Sequence, residues 1–255
     1  MKNAMDELVN KIKELDNPTV IGLDPRYDMI PEYITSKYEK TIEGACNAII
    51  EFNKALIDAT YDIIPAIKPQ IAFYEMFGIP GMKAFKETIK YAKEKGMIII
   101  IDAKRGDIGS TAEGYSNAYI GRTPLGDKKE SIYDAEFVTV NPYLGSDGIK
   151  PFIKDCIEYG KGIFIILKTS NPSSGEFQDL KIENGEEIYK HMAKLINDWG
   201  KNLIGENGYS SVSVVVGATH PRELKELRAL MPNAFFLIPG YGAQGRKSRR
   251  YSIRI

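Results

Sequence analysis

Histidine and cysteine are scarce in this chain of 255 residues, with two of each. His191 and His220 lie far apart and neither has a cysteine cluster beside it, so a dedicated zinc site is not expected. Cys46 and Cys156 fall inside helix-like segments, which fits reduced core thiols in a cytoplasmic protein rather than a disulfide framework. Net charge is missing as well. Lys plus Arg and Asp plus Glu each number 34, so no global field favours nucleic acid or an anionic membrane, and any phosphate recognition has to be local. No apolar run reaches membrane-spanning length, and the opening Met1-Lys2-Asn3-Ala4-Met5-Asp6 lacks the apolar core of a secretory signal. No Gly-x-Gly-x-x-Gly follows the first strand-like run, which counts against a dinucleotide site there.

What the chain does have is alternation. Short apolar runs at residues 19–23, 64–68, 97–102, 137–140, 162–167, 213–216 and 235–239 read as strands. Amphipathic stretches at 41–61, 81–95, 110–121, 146–159, 186–203 and 221–230 read as helices. Strand and helix repeated this way predict a parallel sheet covered on both faces. Polar and glycine residues gather just after the strand ends, at Asp24, Lys68, Asp102, Asn141, Thr169, Gly217 and Gly240. Such a rim is where an α/β barrel of the TIM type builds its active site; a doubly wound open sheet is the alternative. Seven strands are counted where a closed (β/α)8 barrel needs eight.

The densest chemistry lies in Ile100-Ile101-Asp102-Ala103-Lys104-Arg105-Gly106-Asp107-Ile108-Gly109-Ser110-Thr111-Ala112. A strand-like run turns polar abruptly, and Asp102, Lys104 and Asp107 fall within six residues. If the strand continues, Asp102 and Lys104 leave the same face. An acid–lysine–acid array is costly to bury unless each charge is paired, so it marks a working site; the bland reading is a surface loop with an ion pair.

That stretch resembles the signature of orotidine 5′-phosphate decarboxylase, in its longer bacterial subgroup. The resemblance runs from about residue 20 to about residue 245, through Gly22-Leu23-Asp24, Ile67-Lys68-Pro69, Val140-Asn141-Pro142-Tyr143, Lys168-Thr169-Ser170-Asn171-Pro172 and Pro239-Gly240-Tyr241-Gly242-Ala243-Gln244-Gly245. It implies one barrel domain over residues 1–245 and conversion of orotidine monophosphate to UMP and carbon dioxide, in pyrimidine synthesis and without a cofactor. By resemblance Lys104 donates the proton, and Asp102 lies beside the departing carboxylate, either stressing the substrate or orienting the lysine. Lys68 and Asp107 complete an alternation of opposite charges, which favours the charged forms. In the family the second acid and the Ile-x-x-Thr after it come from a partner subunit, so Asp107, Ile108 and Thr111 imply a homodimer with shared sites.

By the same resemblance Asp24, assisted by Lys68, would bond the ribose hydroxyls (otherwise it is a helix cap before Pro25), Ser170 the pyrimidine edge, and Gln244 phosphate and base, with Pro239 packing nearby. Ser170 and Gln244 read otherwise as turn residues. A related sugar-phosphate decarboxylase or aldolase, which would need magnesium, and an inactive nucleotide-binding barrel are the other readings.

Beyond Gly245 the resemblance stops. Residues 246–255 hold five basic residues and no buried-strand pattern, and a solvated basic tail is the plain interpretation. Shifting a set of codons for Arg246 to Arg254 by one base instead yields Gly-Lys-Ala-Glu-Asp-Ile-Ala-Leu-Gly, which resembles the family's continuation. A frame slip near Gly245, replacing the eighth strand, its loop and its helix, is therefore expected. The family's phosphate arginine follows that strand. Arg246, Arg249 and Arg250 stand in the wrong context for the role, and a missing charge-assisted phosphate contact would weaken binding by about 1.5–3 kcal/mol.

Overall fold

The computed structural model describes residues 3–218 and 221–240. The frame slip and basic tail expected beyond Gly245, together with His220 and Gln244, lie outside the described residues. The strands, in chain order, are β1 (Val20–Leu23), β2 (Ala66–Pro69), β3 (Ile98–Arg105), β4 (Thr123–Leu125), β5 (Lys128–Glu130), β6 (Phe137–Val140), β7 (Gly162–Lys168), β8 (Ser210–Val216) and β9 (Ala234–Leu237). β4 and β5 form a small antiparallel hairpin. The other seven pair in parallel, in the order β1-β2-β3-β6-β7-β8-β9. Helices lie between them: α1 (Ala4–Leu15), α2 (Glu32–Thr35), α3 (Ile42–Asp58), α4 (Ala72–Glu75), α5 (Gly78–Glu94), α6 (Gly109–Tyr119), α7 (Ser146–Tyr159), α8 (Gly175–Gln178), α9 (Ile188–Gly200) and α10 (Pro221–Leu230).

Two apolar clusters show how the sheet curls. Along β3 the side chains alternate: Ile99 and Ile101 join a core with residues of α3, α5 and α7, while Ile98 and Ile100 turn the other way. The inward set meets Ala66, Phe137, Phe164 and Val215, with Val20 and Leu237 packed against it. Both edge strands thus reach one interior, which only a sheet wrapped around its own face allows. The result is a barrel of the TIM type with seven strands among the described residues, the number read from the alternation, and not the doubly wound open sheet. The Phe137 and Phe164 rings fill its middle, their centroids 5.0 Å apart, and burying each contributes about 1.5–3 kcal/mol.

Helix α1 was not anticipated. The Asn3 side chain caps it by accepting from the Met5 and Asp6 N–H groups, and Met5, Leu8 and Val9 enter the interior cluster. The Ala4 N–H donates to Gly160 O, just before β7, and Asp6 accepts from the Glu206 and Asn207 N–H groups, just before β8. α1 therefore closes the end of the barrel where strands begin, and leaves the opposite end open for chemistry. Cys46 on α3 and Cys156 on α7 are buried and unbonded, and burial raises both thiols above their ordinary value. Among the described residues no helix is long and apolar enough to cross a membrane.

Candidate active site

Because the seven strands run parallel, their C-terminal ends share one rim, and Asp24, Lys68, Asp102, Lys104, Ser170 and Pro239 all stand on it. Asp102 is the hub. Only 6% of it is exposed. Its Oδ2 accepts from Lys68 Nζ at 2.8 Å, and its Oδ1 from Lys104 Nζ at 2.6 Å. Burial by itself would push the Asp102 carboxyl up; the Lys68 and Lys104 ammonium groups outweigh it and hold the carboxyl below its ordinary value. Lys68, Asp102 and Lys104 thus stand together as three members of the four-member alternation expected from the resemblance; Asp107 is not bonded to them.

Their meeting does not come from a straight strand. Ile101 pairs with Val138 and Arg105 with Val140, so four steps along β3 face two along β6. This bulge swells at Asp102, Ala103 and Lys104, and Lys104 takes the left-handed conformation with φ 49°. A bulge takes the N–H groups of the extra residues off the ladder. Here the N–H groups of Ala103 and Lys104 both donate to Thr139 Oγ1, at 3.0 and 2.9 Å, and that hydroxyl donates to Asp102 Oδ1 at 3.0 Å. Thr139 is 1% exposed. It escaped the sequence reading because a threonine within Phe-Val-Thr-Val reads as ordinary strand.

The bulge is held from the next loop too. Asn141 N donates to Arg105 O at 2.7 Å, and a Cβ on Gly106 would stand 2.6 Å from Asn141 O. Only glycine permits that approach, which gives Val-Asn-Pro-Tyr a structural reason to accompany the acidic motif.

Asp24 follows β1 and remains exposed. Desolvation by the surrounding protein raises its carboxyl and Asp102 adds to the rise, while Lys68 and Lys104 oppose it. Ser170 is half-buried on the loop after β7, and a Cβ on Gly217 would lie 2.7 Å from its backbone nitrogen. That loop is tied down by contacts the sequence did not advertise. Lys168, fully buried, pairs with Asp179 and lies 5.3 Å from the centre of the Tyr189 ring. Gln178 accepts from the Thr169 N–H and donates to its hydroxyl. Pro239 is half-buried, and its carbonyl accepts from Ala218 N at 3.1 Å.

Asp107, Ile108 and Thr111 are placed differently. The Asp107 carboxylate accepts from the N–H of Ile108 at 2.7 Å, Ile108 is 59% exposed, and Thr111 is exposed on the first turn of α6. Within one chain they do not join the hydrogen-bonded array on Asp102.

The family model described as orotidine 5′-phosphate decarboxylase / HUMPS matches residues 18–250. The chain belongs to that family. The orotidine 5′-phosphate decarboxylase of Caldicellulosiruptor bescii is 42% identical over 251 residues, covering 97% of this chain and 82% of the relative. The enzyme of that name from Rhodopirellula baltica is 42% identical over 228 residues, covering 89% and 74%. Among solved structures, the Leishmania donovani OMP decarboxylase matches with a TM-score of 0.72 at 32% identity, covering 94% of this chain and 80% of that one.

Proposed function

We propose that this chain is a carboxy-lyase that converts orotidine 5′-phosphate to UMP and carbon dioxide in pyrimidine synthesis, with Lys104 as proton donor. The observation that carries the reading is the Lys68–Asp102–Lys104 array on the barrel rim. Breaking the bond to the carboxylate leaves its electron pair on the ring carbon, C6, where little resonance spreads the charge. A fixed ammonium beside that carbon stabilises the charge and then supplies the proton that forms the new C–H bond. Lys104 is left neutral and regains a proton from water. Asp102, gripping Lys104 Nζ at 2.6 Å, orients the donor. Asp24 and Lys68 would hold the ribose hydroxyls, Ser170 the pyrimidine edge, and Gln244 phosphate and base beside Pro239. The charges perform the chemistry without a cofactor. The same reading places the enzyme in the cytoplasm, where two unbonded cysteines stay reduced.

We also infer a homodimer with shared sites, in which Asp107, Ile108 and Thr111 of each copy complete the other's array. The exposure of Ile108 and the position of Asp107 off the intrachain array support it. Loss of the orotate chromophore on incubation with the purified chain tests the activity, and turnover that survives a strong chelator sets aside a magnesium-dependent sugar-phosphate enzyme. Mixing and refolding Lys104→Ala with Asp107→Ala tests the sharing. Hybrid dimers carry one site intact, so activity should return to about a quarter of the unaltered level (half the dimers, one site each). Two inactive parents that stay inactive when mixed would refute shared sites.

The raised Asp24 carboxyl carries a sign. A group whose folded value lies above its unfolded value favours folding at low pH and loses that contribution as pH rises through the folded value. At neutral pH the ionised Asp24 therefore opposes folding. Because Asp24 is exposed, solvent screens the effect, so Asp24→Asn should leave Tm level or slightly higher while weakening UMP binding by roughly tenfold or more. Calorimetry and titration would check the two together.

A further inference from the structure

We propose that Thr139 is a positioning residue for decarboxylation: its hydroxyl holds the β3 bulge in the shape that aims Lys104 and fixes Asp102. The inference rests on the functional reading above and adds to it a group that contributes no charge.

The argument begins with the backbone. Between the Ile101–Val138 and Arg105–Val140 pairs, β3 has two more residues than β6. The surplus cannot join the ladder, and orphaned N–H groups in a dry place are costly. Thr139 is the β6 residue midway between Val138 and Val140, and its Oγ1 takes both Ala103 N–H and Lys104 N–H. One side-chain oxygen thus replaces two backbone acceptors. The hydroxyl proton then has one direction open to it, and it goes to Asp102 Oδ1, the oxygen that also receives Lys104 Nζ. Every hydrogen-bonding capacity of the hydroxyl is spent on the two central residues of the array.

The left-handed backbone makes this support necessary. Lys104 has φ 49°, a region that non-glycine residues reach at a cost. A straight strand would relieve that strain and carry the Lys104 side chain off its present line to Asp102. Two hydrogen bonds from the bulge to Thr139 oppose the relaxation. The Lys104 side chain is 45% exposed, so packing alone does not hold it.

Thr139→Val keeps the shape and removes the hydroxyl; Thr139→Ser keeps the hydroxyl. Expected for Val is a fall in kcat of about tenfold to a hundredfold, the range for losing a hydrogen bond to a charged group, with KM changed by less than about threefold. Ser should restore most of the rate. The amide protons of Ala103 and Lys104 should exchange faster with solvent in the Val variant than in the Ser variant. A Val variant with lowered Tm but unchanged kcat would make Thr139 merely structural and overturn the proposal. If the unaltered chain fails to decarboxylate orotidine 5′-phosphate, the functional reading falls, and the aiming of Lys104 for that reaction falls with it. Amide exchange then still decides whether the hydroxyl holds the bulge: equal protection in Val and Ser excludes that too.

Discussion

Replacing Lys104 with alanine should lower kcat for orotidine 5′-phosphate by roughly ten-thousandfold or more, while Tm moves by only a few degrees. The size follows from what one ammonium does twice. Proton delivery by a positioned acid contributes about 10²–10⁴, and removing one fixed donor from a developing anion costs about 10²–10³. Stability changes little because Asp102 keeps Lys68 and Thr139 after the loss, and because alanine inherits the same left-handed backbone at φ 49°. Single-turnover kinetics with thermal unfolding on the same sample separates the two effects. A residual rate within a hundredfold of the unaltered chain would remove Lys104 from the donor role.

Asp102→Ala should damage both properties. The carboxylate is buried between two ammonium groups, and Lys68, whose side chain is only 16% exposed, would be left beside Lys104 with only the exposed Asp24 as a nearby counter-charge. Breaking a buried pair by removing one partner costs about 3–5 kcal/mol, which for a chain of this size is on the order of 10 °C in Tm. The rate should fall with it, since Lys104 loses the anchor on its Nζ. The pH dependence has a definite sign. Asp102 titrates below its ordinary 3.8 in the folded chain, so its contribution is complete above that pH and drains away as pH falls through the lower folded value. The Tm gap between the variant and the unaltered chain should therefore be constant near neutrality and close in strong acid. A gap that widened on acidification would contradict the geometry described for Asp102.

The strands and helices around this site were legible because their apolar periodicity is strong. Ile98 to Ile101 can only be a strand buried on both faces. The 4-residue span of β6 and the limits of α7 and α10 agree with the expected ones. The β4–β5 hairpin was not legible: both strands are three residues long, the first holds Pro124, and the second is charged and exposed throughout. α1 did carry a signal, Met5, Leu8, Val9 and Ile12 at helical spacing behind a capping Asn3, but its partners lie some two hundred residues away. At the site, charged residues within a motif announced themselves. Thr139, Gln178 and Asp179 did not, and Lys168 stood in a quoted motif without a role of its own, since these roles arise from register and from loops folding back, which no local pattern encodes.

The placement of α1 fixes an order of events on the ribosome. The helix is made some two hundred residues before the last of its socket: the carboxylate of Asp6 waits for Glu206 and Asn207, and the cluster that Met5 and Leu8 join is completed by Val215. At about 5–20 residues per second, roughly 10–40 s separate the synthesis of the plug from that of its socket. Throughout that interval the apolar stripe of α1 has only Ala66, Ile98, Ile100, Phe137 and Phe164, arriving in turn, to cover it, and a chaperone that recognises such stripes can occupy it until β8 is made.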